Sequence, residues 1–379
     1  MLGAVLGSFY GDALAMPYHW FYNVGDIDAA GAVFSSYKPP PARHPSSIMT
    51  LHSTGSGGRG GQAESIVGDV ILKGKKKFWG QRETHYHAEL EAGENTLNSQ
   101  CVRLQLATLA DTGRHDSEDF LARYIPFMTT EGTHNDTYAE SFHRDFFANW
   151  RRGVPPHKCG GPPGHDTPSA GALVMLPAVV IANFHQGRNS AVESAVAHAR
   201  LTHGTGSQEL DAGAAVYAGA LYDVLAGESL VTATRTAANA IGVDLDALVA
   251  RGQASDRAVI GGTFSHACYL SGSLPGILFL AAKFSSLPRH TPLHVHASPP
   301  CLPLPSSPLH STTHARTHHR CATRCVPLCP SQIVYPPDTE ETGGWLMTCV
   351  VGTVQVAKEP RRWWATPTVE ATTVTAEPP

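Results

Sequence analysis

Apolar residues recur at helical spacing through the middle of the chain, from about residue 95 to 284. In the segment TLNSQCVRLQLATLADTG they return every three or four positions, at Leu97, Cys101, Leu104 and Ala107. This spacing places them on one face of an α-helix. We expect Asn95 to cap the start of this helix and Gly113 to cap its end.

Other segments show the same periodicity, with Ser, Asp or Pro near their starts and Gly near several of their ends: DSEDFLARYIPFM, PSAGALVMLPAVVIANF, SQELDAGAAVYAGALYDVLAG, ESLVTATRTAANAIG and SLPGILFLAAKF. Such residues are typical of helix caps and first turns. No convincing β-alternation competes with this pattern, so it predicts an all-α fold. Residues 22–92 are richer in Gly, Pro, Ser and His, and we expect them to wrap around the helices as long loops.

The composition is that of a globular protein. The chain has 379 residues, of which 42% are hydrophobic and 16% charged, so it can bury a core in one large domain or two ordinary ones. Its net charge is −4, and its basic run KGKKK, at 73–77, is short enough to be a solvated loop. This charge pattern argues against a nucleic acid or an anionic membrane as a partner.

Export and membrane insertion are not expected either. The longest apolar stretch, ALVMLPAVVIANF, has 13 residues and contains Pro177, so it is too short to cross a bilayer and fits a buried helix. No secretory signal pattern precedes Gly11, and outside 301–329 the cysteines are scattered singly. We therefore expect an intracellular, cytoplasmic protein.

Two short motifs offer candidate oxygen ligands. GDA, at 11–13, follows a helix face of small residues, and Asp12 either belongs to an ordinary turn or reaches a metal or a ribose hydroxyl. GENT, at 93–96, places Glu94, Asn95 and Thr96 at a helix start. These three residues either cap the helix or turn their oxygens outward to hold a hard cation such as Mg²⁺.

A third cluster, THNDTYAESFHRDFF, lies at 133–147. Asp136, Glu140 and His143 can share one helix face there, although a capped helix start also explains most of these residues. His134 and His143 are too far apart in sequence for the helical two-histidine pair of a zinc protease.

Two glycine-containing segments are candidate anion sites. GHDTPSAGALVMLP, at 164–177, sets Ser169 and Gly171 at the start of an apolar helix, where free N–H groups favour a diphosphate, while simple capping is equally consistent. GSGGRGG, at 55–61, lacks the ending of a P-loop and is more typical of a flexible loop. His203 is expected in a loop between two helices, where a histidine is usually solvated.

The order of these segments resembles the ADP-ribosylglycohydrolase superfamily, and within it the divergent branch that includes a lens crystallin. The segments that carry the resemblance over residues 1–284 are GAVLGSFYGDALAMP, HYHAELEAGENTLNSQ, HNDTYAESFHRDFFANW, HDTPSAGALVMLP, ARLTHGTG and CYLSGSLPGILFLAAKF. The resemblance implies a single all-α domain of orthogonally packed helices with long N-terminal loops. It also implies two bound Mg²⁺ ions and hydrolysis of the glycosidic bond of ADP-ribose or of an ADP-ribosylated protein.

Individual residues take roles from this resemblance by position. Asp12 belongs to the Gly-Asp-Ala motif, and GENT corresponds to a Thr-Asp-Asp-Thr metal segment. The metal ligands it implies are Glu94, Asn95, Thr96 and Asp136. Ser169 and Gly171 would lie near the diphosphate, and His203 near the bound ADP-ribose.

The chain departs from the family pattern at its metal motifs. Asn95 stands where the family has an aspartate, Pro17-Tyr18-His19 stands where a Glu is frequent, and no in-frame Asp-x-Asp follows SLPGILFLAAKF. The second Mg²⁺ site therefore lacks its carboxylates. We expect a hydrolase-like protein with impaired metal-assisted cleavage; the alternative is a non-catalytic relative that binds ADP-ribose or serves a structural role.

The C-terminal part has a different character. Residues 301–329 hold four of the eight cysteines, but HARTHHRCATRC, at 314–325, has almost no apolar neighbours to fold around zinc, so we do not expect a zinc site there. The Pro-, Ser- and Cys-rich text ending in CPSQ is what a pyrimidine-rich intron with its terminal CAG encodes. We therefore interpret residues 285–332 as retained non-coding sequence.

The last segment, WWATPTVEATTVTAEPP, supports that interpretation. A shifted reading frame of its possible codons permits VGDTDCGGDNCHRGA, which looks like the missing metal motif. We predict a helical domain over 1–284 and, over 285–379, a mis-spliced or frame-shifted tail of low complexity without the apolar periodicity needed to order it.

Overall fold

The computed structural model describes residues 1–30, 36–47, 49, 66–164, 166–253 and 255–286. The helices bounded within those ranges are α1 Leu2–Ala15, α2 Val24–Ala29, α3 Leu97–Thr112, α4 Ser117–Thr129, α5 Ser141–Arg151, α6 Gly171–Val174, α7 Leu176–Ala182, α8 Arg188–His203, α9 Gln208–Leu225, α10 Leu230–Ala240, α11 Leu245–Arg251 and α12 Leu270–Lys283. In the same ranges β-pairing is limited to isolated bridges. The prediction of an all-α fold is therefore confirmed.

Some predictions concern the rest of the chain. GSGGRGG at 55–61, the cysteine and histidine cluster at 301–329 and the predicted tail beyond residue 286 lie outside the described residues. These predictions stay predictions. Within the described ranges, no helix is both long and apolar enough to span a membrane.

Local sequence signals explain several helix ends. Gly113 ends α3 in the left-handed conformation, with φ of 71°, and its N–H donates to the carbonyl of Leu109. Glycine has no Cβ and adopts this conformation at little cost. Asp116 caps α4 by accepting hydrogen bonds from the backbone N–H groups of Glu118 and Asp119. Serine side chains cap the starts of α9 and α10 in the same way.

The start of α3 differs from the prediction. Thr96, not Asn95, is the N-cap residue, and its side chain makes no capping bond. The side chains that accept from the free N–H groups here come from distant parts of the chain, Asp12 and Asp136. A local sequence pattern does not show such a long-range cap.

The apolar segment PSAGALVMLPAVVIANF forms two helices where the periodicity predicts one. α6 ends at Val174 and α7 begins at Leu176, with Met175 between them. Pro177 lies in the first turn of α7, because proline lacks an N–H and its ring clashes with the carbonyl four residues earlier in a continuous helix. Both helices are largely buried.

Two apolar clusters form the core. The first joins α6 to α12, where small side chains on the facing sides of α8 and α9, including Ala195 and Ala214, let the two helices approach closely. The second lies under α3, α4 and α5 and is built from fully buried aromatic rings, among them Phe120, Tyr124 and Phe146. Ile71 and its neighbours from the preceding loop join this second cluster.

The N-terminal region is largely irregular where it is described, as the composition predicts. Between α1 and α3, the regular elements bounded in those ranges are α2 and the 3₁₀ turns at Met16–Tyr18 and Lys76–Phe78. Packing of aromatic and imidazole rings holds this region together. Trp20 stacks on His19 with ring centroids 4.0 Å apart, and His44 packs edge-on against Tyr86 at 5.1 Å. These contacts join parts of the N-terminal region that are up to 42 positions apart in the chain.

Candidate functional site

The start of α3 is the point where the predicted metal ligands meet. Asp12, buried on α1, accepts hydrogen bonds from the Thr96 hydroxyl at 2.7 Å and from the Thr96 backbone N–H at 2.8 Å. It also accepts one from the Asn95 amide at 3.0 Å. Burial raises the pKa of Asp12, and the hydrogen bonds from Thr96 and Asn95 oppose this rise.

Asn95 has a fully satisfied side chain. Its amide nitrogen donates to the backbone carbonyl of Phe9 at 2.7 Å as well as to Asp12. Its amide oxygen accepts a hydrogen bond from the guanidinium of Arg103 at 2.9 Å. Asn95 therefore bridges α1 and α3, and its side-chain oxygen faces the positively charged guanidinium of Arg103.

Asp136 lies in the loop before α5, fully buried, on the other side of the α3 start. One of its oxygens accepts from the backbone N–H of Leu97 at 2.7 Å, and the other from His87 and Thr137 at 2.8 and 2.7 Å. Burial alone would raise the pKa of Asp136, but the neighbouring His87 and these hydrogen bonds hold it below its ordinary value. The prediction that Asp136 can share a helix face with Glu140 and His143 is wrong, because α5 begins only at Ser141.

The oxygens of this group do not fit a Mg²⁺ ion as the described residues present them. Glu94 accepts from the Asn135 amide and from the backbone N–H of Glu91, while Asp12, Asn95 and Asp136 face the donors named above. Mg²⁺ needs a near-octahedral set of oxygens turned toward one point. Across the described ranges, no group of three His, Cys, Asp or Glu side chains suits a metal ion.

A cleft with a volume of about 610 Å³ lies beside this group. Its wall is formed by the N-terminal loop together with α2, by the start of α5, and by the turns that precede α6 and α12. Its aromatic lining consists of Trp20, Tyr22, Tyr138 and Tyr269. Its carboxyl lining consists of Asp26, Glu140 and Asp166.

Ser169 is held in the cleft wall by paired backbone segments. The N–H of Ala170 donates to the carbonyl of Cys268 at 2.7 Å, and the N–H of Leu270 donates to the carbonyl of Pro168 at 2.9 Å. The Ser169 side chain is only 2% exposed, and its Oγ makes no hydrogen bond to another atom of the described residues. A buried hydroxyl without a partner is uncommon and suits a group that a ligand completes.

Glu140 and Asp166 are two of the carboxyls that line the cleft. Asp166 accepts hydrogen bonds from the Ser141 hydroxyl at 2.6 Å and the Tyr269 hydroxyl at 3.0 Å. Glu140 accepts one from the Asn98 amide. Burial raises the pKa of Glu140 to about 7, and the charge of Asp166 adds to this effect while the Asn98 hydrogen bond opposes it.

The other predicted ligand-binding residues have different places. Gly171, the first residue of α6, lies directly under Glu140: a Cβ on Gly171 would come within 2.7 Å of the carboxylate oxygen Oε1. His203 is the last residue of α8 and is buried, so its predicted loop position is wrong. Its ring stacks on Phe142 at 3.7 Å, and burial lowers its pKa to about 3. Of the predicted site residues, Ser169 is the one that lines the cleft.

The sequence patterns missed the aromatic side of the cleft. Trp20 adopts the left-handed backbone conformation, with φ of 58°, which is rare for a bulky residue, and its ring contacts Tyr138 edge-on at 4.7 Å. Nothing in the sequence signals that conformation. Tyr269 belongs to the segment CYLSGSLPG, but its contact with Asp166, 103 positions earlier, depends on the fold.

Comparison with protein-family models matches ADP-ribosylglycohydrolase over residues 1–290. Comparison with curated proteins finds no match. The family match covers well over half of the 379 residues, including every element that forms the cleft and the start of α3. The chain therefore belongs to the ADP-ribosylglycohydrolase family.

Proposed function

We propose that this protein is a hydrolase-like member of its family that binds an ADP-ribosyl group in the cleft and that its metal-assisted cleavage of the glycosidic bond is impaired. The observation that carries the proposal is the unpartnered Ser169 hydroxyl, buried in the wall of a cleft of about 610 Å³. Clefts that bind small molecules commonly measure roughly 300–1,000 Å³ and place a few polar groups among aromatic side chains.

The lining offers chemistry for each part of such a ligand. Ser169 can hydrogen-bond a phosphate or ribose oxygen. The carboxylates of Asp26 and Asp166 can accept hydrogen bonds from ribose hydroxyls. The rings of Trp20 and Tyr269 provide flat apolar surface of the kind that packs against a sugar or a base.

Impaired cleavage follows from the hydrogen bonds at the start of α3. The family resemblance implies a metal that would hold ribose hydroxyls and a water molecule. In this chain the oxygens of Asp12 and Asp136 face N–H and O–H donors, and the Asn95 oxygen faces Arg103. Binding a Mg²⁺ ion there requires breaking these buried hydrogen bonds, so we propose that the chain holds Mg²⁺ weakly.

Isothermal titration calorimetry with ADP-ribose, with and without Mg²⁺, tests the proposal on the full chain. We expect one ligand per chain, an affinity that Mg²⁺ changes by less than about threefold, and no Mg²⁺-dependent release of ADP-ribose from a modified protein. Robust Mg²⁺-dependent release would contradict the impaired cleavage. Absence of any binding would contradict the proposed ligand and would favour a purely structural, crystallin-like role.

A further inference from the structure

A chain of hydrogen bonds runs from the core to Glu140 in the cleft. The Tyr124 hydroxyl lies 2.5 Å from Nδ1 of His143, whose Nε2 lies 3.0 Å from the Asn98 amide oxygen. The Asn98 amide nitrogen in turn lies 2.5 Å from Oε1 of Glu140. Tyr124, His143 and Asn98 are buried, whereas Glu140 is half-buried and lines the cleft.

The direction of these hydrogen bonds is determined by chemistry. A carboxyl oxygen accepts, so the Asn98 nitrogen donates to Glu140 and the Asn98 oxygen must accept from His143. His143 therefore carries its proton on Nε2, and its unprotonated Nδ1 accepts from the Tyr124 hydroxyl. Burial keeps His143 neutral by lowering its pKa well below the ordinary value. The network holds Oε1 of Glu140 in one position, and Glu140 lines the cleft.

The charge of the lining is unusual for a cleft that is to receive a diphosphate. Asp26, Glu140 and Asp166 line it, and among the described lining residues there is no Lys, Arg or His. The hydrogen bonds to Asp26 and Glu140 come from neutral donors, the Asn23 amide, the Ser46 hydroxyl and the Asn98 amide. An anionic ligand is therefore repelled by each carboxylate that is ionised.

We propose that Glu140 holds a proton when an anionic ligand binds, donating a hydrogen bond to the ligand as a neutral acid and repelling it as a carboxylate. This inference rests on the proposed function, because it takes the diphosphate of an ADP-ribosyl group as the anion. It makes ligand affinity depend on pH in the neutral range. Asn98 and His143 act as positioning residues for Glu140 and do not touch the ligand.

The surroundings of Glu140 favour the neutral acid. Its pKa is raised to about 7, mainly by burial and also by the charge of Asp166. Arg144 and His87 act in the opposite direction, but neither lines the cleft, and Arg144 donates to the carbonyl of Ala139 instead. The phenols of Tyr22 and Tyr138 also face this region, and burial raises the pKa of both.

Calorimetric titration with ADP-ribose between about pH 5.5 and 8.5 tests the inference on the full chain. The wild type should lose affinity about tenfold per pH unit above about pH 7, because only the protonated form binds well. Glu140→Gln keeps the acceptor for Asn98 and presents a neutral donor in place of the acid. Its affinity should stay high and vary less than about twofold over the same range.

Asp26→Asn is the matched control, because it removes another carboxylate from the same lining. It should change the affinity by a similar factor across the range and leave the inflection near pH 7 in place. An equal inflection in Glu140→Gln, or no inflection in the wild type, would overturn the inference.

Difference infrared spectra of the free proteins, wild type minus Glu140→Gln, report the protonated carboxyl without a ligand. A proton on Glu140 without any binding of ADP-ribose would contradict the proposed function alone, and absence of the protonated-carboxyl band at neutral pH would contradict this inference alone.

Discussion

Asp12 and Thr96 are joined by two hydrogen bonds, one from the Thr96 hydroxyl at 2.7 Å and one from its backbone N–H at 2.8 Å. The two residues are 84 positions apart in the chain. Their contact connects α1 to the first turn of α3 and uses the carboxylate as a helix cap. A carboxylate in this position also interacts favourably with the positive end of the helix.

Asp12→Asn should destabilise the protein by about 2–3 kcal/mol, because the new amide nitrogen faces donors and leaves one of them buried without an acceptor. Chemical denaturation at neutral pH measures this loss. Asp246→Asn is the control, since Asp246 pairs with Arg235 on the surface, and its effect on stability should be much smaller than that of Asp12→Asn. Equal effects of the two substitutions would contradict the structural role of Asp12.

Tyr124→Phe removes the donor at the buried end of the chain of hydrogen bonds that leads to Glu140. Nδ1 of His143 then has no partner, and we expect a loss of about 1–3 kcal/mol in unfolding free energy. Tyr222→Phe is a matched control, because its hydroxyl makes only a 3.4 Å hydrogen bond at a half-buried position. That control should lose less than half as much. Urea denaturation of the wild type and of both variants measures these losses. Equal losses in the two variants would contradict the role of the Tyr124 hydroxyl.

Ser169→Ala should leave the free protein as stable as the wild type or more stable by about 1 kcal/mol, because the hydroxyl has no protein partner to lose. In contrast, the affinity for ADP-ribose should fall about tenfold if the hydroxyl bonds the ligand. Ser273→Ala offers the comparison, since Ser273 is equally buried and unpartnered but does not line the cleft. It should leave the affinity unchanged; a matching loss in both variants would refute the role of Ser169.

Glu140 should also link the stability of the free protein to pH. Its folded-state pKa of about 7 lies above the ordinary value of 4.5, so the folded state keeps a proton that the unfolded state has released. Its contribution to stability is therefore complete below pH 4.5 and is lost as pH rises through about 7. Between pH 4.5 and 8 the wild type should lose about 2–3 kcal/mol relative to Glu140→Gln. Parallel stability curves for the two proteins would exclude the raised pKa.

Much of the fold follows from local signals in the sequence. The periodic apolar residues of α3 and the left-handed Gly113 after it were predicted together, since both depend on neighbours within one or two turns. The same holds for the Asp116 cap of α4. Pro177 is visible in the sequence, yet the apolar periodicity predicts a single helix there, because periodicity alone does not distinguish one helix from two short ones joined at Met175.

The candidate site was less predictable because its contacts are long-range. Asp12 and Asp136 cap α3 from positions far away in the chain, so the sequence suggested Asn95 instead. In the sequence, Glu140 is visible only as part of a polar cluster. Its environment depends on Asn98 and Asp166, which only the folded chain brings to it.

The most direct test of the central claim is whether ADP-ribose occupies the cleft, and Cys268 allows this to be measured. Cys268 lines the cleft and is partly exposed, whereas Cys101 and Cys159 are buried and serve as internal controls. The rate of alkylation by iodoacetamide is followed at each cysteine by mass spectrometry of peptides. We predict that saturating ADP-ribose slows alkylation of Cys268 at least about tenfold and leaves the other cysteines unchanged; an unchanged rate at Cys268 would contradict the account.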